Sequence, residues 1–348
     1  MKAFTKWIGN KEQYLKEILP LFPKGIERYY DVFVGGGDIY LGAPDSAQYI
    51  VADSCRPLID LYREAQLGDP VFVSHLKDIN ASWENLGRLF LENADALRNL
   101  YVKYPEGKEY DYLAYVEDLN PILEKLEYDK VFLQHYSDTI LFEIEKRYHF
   151  TKRKEKSAKW KLKTIEVMDK YILTSLKTAL YEYYMEVFNA NSPLPVPLRK
   201  AILMFLLQFS STGEFRLEGR RKEFRPVYAG PTHNDMTLDN TIRLIGSNEF
   251  KERISKTEFH CQDFRKFFER RHPGPNDLVF VNLPALSDQD MADLLAILKR
   301  RKAMRFMLIA WRNAITPALD TFAANYHITL AGPKQELMIV TSYNPQES

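Results

Sequence analysis

Apolar positions along this chain follow two different periods, and the switches between them mark its organisation. Tyr29–Val34 and Tyr49–Ala52 are short aromatic and β-branched runs that end at Gly35-Gly36-Gly37 and at Asp53. Runs of this kind predict strands, with a helix expected to start near Asp38. From roughly 58 to 208 the period becomes helical: Leu86, Phe90, Ala94, Leu97 and Tyr101 share one face, as do Ala201, Met204 and Phe205. Pro193, Pro195 and Pro197 break this pattern before the strongly apolar segment 201–209. Residues 213–230 predict a hairpin. The strand-and-helix alternation then resumes: Glu258–Cys261 leads to Asp263, and Leu278–Val281 leads to Asn282. A helix over 287–301, a strand over 306–310 and a late strand from Gln335 to Ser342 complete it. Alternation of this type predicts an α/β fold with a parallel sheet, and places ligands at the carboxyl ends of its strands.

A length of 348 residues suits one α/β domain carrying a substantial insertion. Hydrophobic residues make up 45% of the chain, enough for a packed core, so intrinsic disorder is not the expected class. The 48 basic residues nearly cancel the 47 acidic ones, so any nucleic-acid surface has to come from local clustering. Cys55 and Cys261 are the only cysteines. Two are too few for a zinc site or a disulfide framework, and a reducing, cytoplasmic setting is the expectation. The N-terminus lacks an apolar signal core, and no apolar run reaches the roughly 20 residues needed to span a bilayer.

A glycine loop after a strand lets a ligand approach the backbone closely, although it serves equally as a plain turn. Asp53, about twenty residues further on at the end of the next strand, suits a carboxylate that accepts ribose hydroxyls. At this point the chain resembles a known family. Phe4-Thr5-Lys6-Trp7-Ile8-Gly9-Asn10-Lys11, then Asp31-Val32-Phe33-Val34-Gly35-Gly36-Gly37-Asp38, then Ala52-Asp53 are similar to the opening of the Dam-type (D12 class) adenine-N6 DNA methyltransferases. Glu258–Phe264 resembles that family's acidic-Phe segment, and Lys334–Thr341 its closing strand. The order agrees over most of the chain apart from an insertion near 65–180.

The resemblance implies an S-adenosylmethionine-dependent, Rossmann-like methyltransferase sheet built from 1–62 and 233–348. A helical insertion and target-recognition subdomain would occupy 63–232. It also implies roles. Trp7 and Lys11 would shape the methionine end of an S-adenosylmethionine pocket, and Phe33, Gly35 and Gly37 its floor. Asp53 would hold the ribose, and Asp263 with Phe264 would border the adenine. Trp7 reads equally as an ordinary core aromatic, and Asp263 as a helix cap.

The chemical centre departs from the family. Where the family places Asp-Pro-Pro-Tyr, this chain has Asn282-Leu283-Pro284-Ala285. An adenine amino nitrogen is a weak nucleophile because its lone pair is delocalised into the ring. In the family a side-chain oxygen and a proline carbonyl accept its hydrogens while an aromatic ring stacks on the flipped base. Asn282 keeps an oxygen but not the charge. Leu283 replaces the first proline, Pro284 is retained, and Ala285 lacks the ring, whose stacking is worth about 1–3 kcal/mol per base. The tetrapeptide reads either as a strand-ending turn or as a working site with a ring from elsewhere, Trp311 or Tyr228 being the candidates.

The resemblance implies double-stranded DNA as the partner, and two basic clusters offer a surface for it. Lys146 to Lys163 holds nine Lys or Arg, among them Lys152, Arg153 and Lys154; Arg220, Arg221, Lys222 and Arg225 lie on the hairpin. Such groups neutralise phosphates independently of sequence, and they also describe a solvated helix face or a protein-docking face. The resemblance thus implies a bacterial or phage-encoded, restriction-modification type of protein. The preferred reading is a Dam-like DNA binder impaired in catalysis, with degenerate Asn282 and Pro284. The alternative is an active, divergent adenine-N6 methyltransferase.

Overall fold

The computed structural model describes residues 1–103, 112–124, 165–190, 193–220, 222–301 and 303–346. Among them the strands are β1 (Arg28–Asp31), β2 (Gln48–Asp53), β3 (Leu217–Glu218), β4 (Glu223–Phe224), β5 (Thr257–Cys261), β6 (Leu278–Asn282), β7 (Arg305–Trp311), β8 (His327–Ala331) and β9 (Leu337–Thr341). Strand β1 stops three residues short of Val34. The Asp31 carboxylate accepts the Phe33 N–H at 3.1 Å and turns the chain out of the sheet into Gly35, whose φ is 49°. The helix expected near Asp38 is a single 3-10 turn, Tyr40–Gly42. Gly37 precedes it and Gly42-Ala43-Pro44 closes it, so no second turn can add on.

The chain divides into two compact units, Met1–Asp69 with Thr241–Ser348, and Pro70–Asn240. These borders lie several residues beyond the 62/63 and 232/233 expected from sequence. The first unit is a seven-stranded sheet in the order β5-β2-β1-β6-β7-β9-β8. Strands β5, β2, β1, β6 and β7 are parallel; β9 runs antiparallel to β7 and to β8. Both faces of the sheet are covered, which is why its central strands read as unbroken apolar runs. On one face Tyr30, Ile50, Ala52, Val279, Val281 and Leu308 pack against helices Phe264–Arg270, Asp288–Arg300 and Pro317–Ala323. On the other, Tyr29 stacks with Phe22 at 6.3 Å and Phe280 at 6.1 Å, and Tyr62 with Phe259 at 5.0 Å. Strand β8 was not anticipated. It is an edge strand with Ile328 and Leu330 exposed, so its burial gives little periodic signal.

The second unit is helical: Pro70–Glu92, Ala94–Lys103, Tyr112–Leu123, Ile165–Asn189 and Val196–Phe209. Its centre is Trp83, fully buried against Phe209 at 4.5 Å and Phe205 at 5.3 Å, with its indole N–H donating to Met236 O at 2.9 Å. The apolar run 201–209 is thus a helix buried on most sides. The expected hairpin forms, but its ladder is only Leu217–Phe224 and Glu218–Glu223. Asn189 takes the place of a further strand, donating Nδ2 to Phe224 O at 2.8 Å and accepting Phe224 N–H at 2.9 Å. No described helix is long and apolar enough to cross a membrane.

Candidate active site

The parallel strands β1, β2, β5 and β6 all end on one side of the sheet, and the segments that follow them enclose a cavity of about 360 Å³. That size is ordinary for a small-molecule site. After β1 comes the glycine loop with Phe33, Gly35, Gly36 and Asp38; at the end of β2, Asp53 and Ser54; after β5, Gln262, Asp263 and Phe264; from the end of β6, Asn282 to Leu286. Trp7 to Asn10 close the remaining side.

The glycines are demanded by packing as well as by conformation. A Cβ on Gly35 would come within 2.8 Å of Trp7, one on Gly36 within 2.3 Å of Thr5 O, and one on Gly37 within 2.5 Å of the Tyr62 hydroxyl. Phe4 N–H donates to Gly36 O at 2.8 Å, so the N-terminal strap is fastened to the loop. Gly37 and Lys11 stand behind the wall rather than on it, since neither lines the cavity.

Asp53 lines the cavity and accepts Gly35 N–H at 3.2 Å and Cys55 N–H at 2.9 Å. Burial holds its carboxyl above the usual range, opposed by those amides. Asp31 and Asp38 are also buried acids of this loop. Desolvation raises Asp31 to about 8, and raises Asp38 as well. Asp38 was missed as a site residue, having been read only as a helix start. It lines the cavity and accepts the backbone N–H of Lys11.

Asp263 is the helix cap that one reading expects, and a cavity residue as well. Its carboxylate caps helix Phe264–Arg270 by accepting Arg265 N–H at 2.8 Å, and it also lines the cavity. Arg265 lies over the Phe264 ring at 4.5 Å and pairs with Asp263, Asp290 and Asp293. Phe264 and Phe33 meet at 5.7 Å between ring centroids. Two aromatic rings, a buried acid at a strand end and acidic groups around the loop fit a ligand with a flat base, vicinal hydroxyls and a cationic end. S-adenosylmethionine is such a ligand.

At the tetrapeptide, Asn282 Oδ1 accepts from Lys11 Nζ at 2.6 Å. Lys11 is 1% exposed; its Nζ also donates to Gly9 O at 3.0 Å and lies 4.9 Å from the Trp311 ring centroid. Desolvation brings its pKa down to about 8, with the charge of Asp38 opposing. Leu283 N–H donates to Ile309 O at 2.9 Å, one bond more of the β6–β7 ladder, and its side chain joins the core. A proline there could not donate. Pro284 and Ala285 are exposed on the cavity wall. Trp311, the candidate ring of the first unit, does not line this wall. It carries Lys11 and the edge of Tyr14, at 5.8 Å. Tyr228 is 9% exposed inside the second unit, beside Trp83 and Tyr181, with its hydroxyl donating to Asn234.

In the hairpin, Arg220 and Lys222 are exposed at the turn, Lys222 with a φ of 52°. Arg225 is ion-paired with Glu223 at 2.5 Å. Lys152, Arg153, Lys154 and Arg221 lie outside the described residues.

Comparison with known proteins bears on the whole arrangement. Residues 7–194 match the model of the D12 class N6 adenine-specific DNA methyltransferases. A 71-residue stretch is 34% identical to the Modification methylase StsI of Streptococcus sanguinis, covering 20% of this chain and 11% of that protein. A 65-residue stretch is 35% identical to the Type II methyltransferase M1.LlaDCHI of Lactococcus lactis subsp. cremoris, covering 18% of this chain and 22% of that protein. In these matches the chain spans less than two thirds of either relative's length. The family match takes in more than half of the chain, including Trp7, the glycine loop and Asp53: the chain belongs to the D12 class of N6 adenine-specific DNA methyltransferases.

Proposed function

We propose that this protein binds DNA and retains an S-adenosylmethionine cavity, while its transfer of methyl groups to adenine amino groups is impaired. The observation that carries this reading is the state of residues 282–285. The one side-chain oxygen there is engaged by Lys11 at 2.6 Å, Leu283 is drawn into the strand ladder, and Ala285 brings no ring to the wall. Amino methylation requires acceptors for the amino hydrogens and an oriented base, because the nitrogen lone pair has to be freed from the ring. Both provisions are weakened at this tetrapeptide.

The cofactor half supports binding. Trp7, Phe33, Gly35, Asp53, Asp263 and Phe264 would hold S-adenosylmethionine, with Gly37 and Lys11 buttressing them from behind. Once bound, that group supplies an electrophilic methyl on a sulfonium. Asp53 would accept ribose hydroxyls, and its two backbone donors fix its orientation. Asp38 adds an acidic group to the wall. For DNA, Arg216, Arg220 and Lys222 are exposed cations of the described hairpin, and Arg225, exposed as well, would exchange Glu223 for a phosphate. The modification methylases among its relatives support a restriction-modification setting.

The test is methyl incorporation from labelled S-adenosylmethionine into unmethylated genomic DNA, run beside a low-salt mobility shift and a thermal shift with the cofactor. We expect both shifts and no incorporation. Incorporation would sink the impairment and leave an active, divergent adenine-N6 methyltransferase. Absence of both shifts would sink the binding reading.

A further inference from the structure

We infer that Asn282 meets its ligand as a hydrogen-bond donor, through Nδ2, so that the nucleobase group received at this end of the cavity is an acceptor, a carbonyl oxygen or bare ring nitrogen. This rests on the cavity facing a nucleobase, as proposed above, and specifies which chemistry of base it receives.

The argument is one of polarity. A protonated lysine has only donors, so the atom that Asn282 turns to Lys11 has to be its oxygen. Reversing the amide would set Nδ2 hydrogens against an ammonium and lose the bond. Lys11 cannot yield instead, because it is 1% exposed and held by Gly9 O, by the Trp311 face and, through its backbone, by Asp38. Asn282 lines the cavity and Lys11 does not, so the oxygen points behind the wall. Nδ2 has no hydrogen-bond partner among the described residues, and it is not a sealed atom. It is the end of the amide left for a ligand. A carboxylate at 282 would behave otherwise: with one oxygen on Lys11, the second would still accept from an amino group. Exchanging the acid for its amide therefore inverts what the position recognises.

The test uses two single-stranded oligonucleotides of one length, identical except that hypoxanthine replaces adenine throughout. Each purine then offers a 6-carbonyl in place of a 6-amino group, with equal backbone charge and unpaired bases that need no flipping. Affinities are measured at one low salt concentration with saturating S-adenosylhomocysteine, for the wild type, Asn282→Asp and Lys11→Met. The wild type should favour the hypoxanthine strand by about fivefold, the effect of a single hydrogen bond. Asn282→Asp should reverse that preference. Lys11→Met, which frees the amide to rotate, should bring the ratio near one. Equal ratios in the wild type and Asn282→Asp, or a wild-type preference for adenine, would overturn the inference. If Asn282→Asp does not fold, an unchanged ratio in Lys11→Met does the same. Failure of the wild type to bind either strand would instead overturn the reading that this cavity faces a nucleobase.

Discussion

Lys11 Nζ donates to Asn282 Oδ1 at 2.6 Å across 271 residues of sequence, tying the N-terminal strap to the end of β6. The lysine is buried, yet its direct partners are neutral: a backbone carbonyl and an amide. Its pKa falls to about 8 for that reason, with desolvation the largest cause. A carboxylate at position 282 would turn the neutral bond into a charge-assisted one. Asn282→Asp should therefore raise the Lys11 pKa and stabilise the protein at pH 7 by about 1 kcal/mol. Chemical denaturation at pH 7 and pH 9.5 checks this. A variant no more stable at pH 7 than the wild type would show that the amide holds the lysine as well as an acid could.

Lys177 presents the same physics in the second unit. It is 4% exposed, donates to Asn234 O, lies 4.4 Å from the Trp83 ring centroid, and has a pKa lowered to about 8 by burial. Unfolded, a lysine keeps its proton up to about 10.5. Between these values the unfolded chain binds more protons, so stability rises with pH from about 8 to 10.5. At about 1.4 kcal/mol per pH unit, the interval is worth about 3 kcal/mol. Lys177→Met should remove that rise from the second unit. Melting curves between pH 7 and pH 10 measure it, and an unchanged slope would mean that the amine is solvated through local opening.

Asp31 acts in the opposite sense. Its carboxyl, raised to about 8 by desolvation, is protonated at neutral pH in the folded chain and ionised in the unfolded one. The stability it contributes is complete below the ordinary carboxylate pKa and is lost as pH rises through about 8. Asn is a neutral stand-in that can still accept Phe33 N–H and bond the Tyr29 hydroxyl. Asp31→Asn should match the wild type most closely near pH 5 and gain on it up to pH 9. Parallel stability curves at pH 5 and pH 9 would expose a difference that does not grow.

How much of this was legible in the sequence depended on whether local pattern or distant register decided the matter. Strands β1, β2, β6, β7 and β9 could be read because burial on both faces makes each a short apolar run. Strand β8, half exposed at the sheet edge, offered no such signal. The helix expected at Asp38 failed because its window holds Gly37, Gly42 and Pro44, and the local breakers outweighed the apolar Ile39, Tyr40 and Leu41. Trp7, Phe33, Gly35, Asp53, Asp263 and Phe264 were found by motif and line the cavity, Lys11 and Gly37 do not, and Asp263 proved to be cap and wall at once. The pairing of Lys11 with Asn282 was invisible, because it joins the N-terminal strap to the end of β6 across 271 residues of sequence. Nor could sequence show that Trp311 turns its ring to Lys11, or that Tyr228 packs beside Trp83 and Tyr181; packing decided that.

The glycine loop gives the most direct check on the cavity wall, because two glycines of the chain should respond with opposite sign. Gly36 faces Thr5 O, where an added Cβ would stand at 2.3 Å, and a backbone oxygen held by the strap cannot swing aside as a flexible side chain could. Gly36→Ala should cost about 2 kcal/mol or more and, by pushing the Thr5–Trp7 strap off the loop, weaken binding of S-adenosylmethionine. Gly87 lies inside helix Pro70–Glu92 with open space where its Cβ would be. Gly87→Ala should stabilise by about 0.5–1 kcal/mol, since alanine loses less backbone freedom on entering a helix. Chemical denaturation of both variants, with a cofactor thermal shift on each, separates the effects. A Gly36→Ala protein as stable as the wild type would mean that the strap is not packed on the loop. Gly87→Ala should leave the cofactor shift untouched, because the cavity is lined wholly by residues of the first unit.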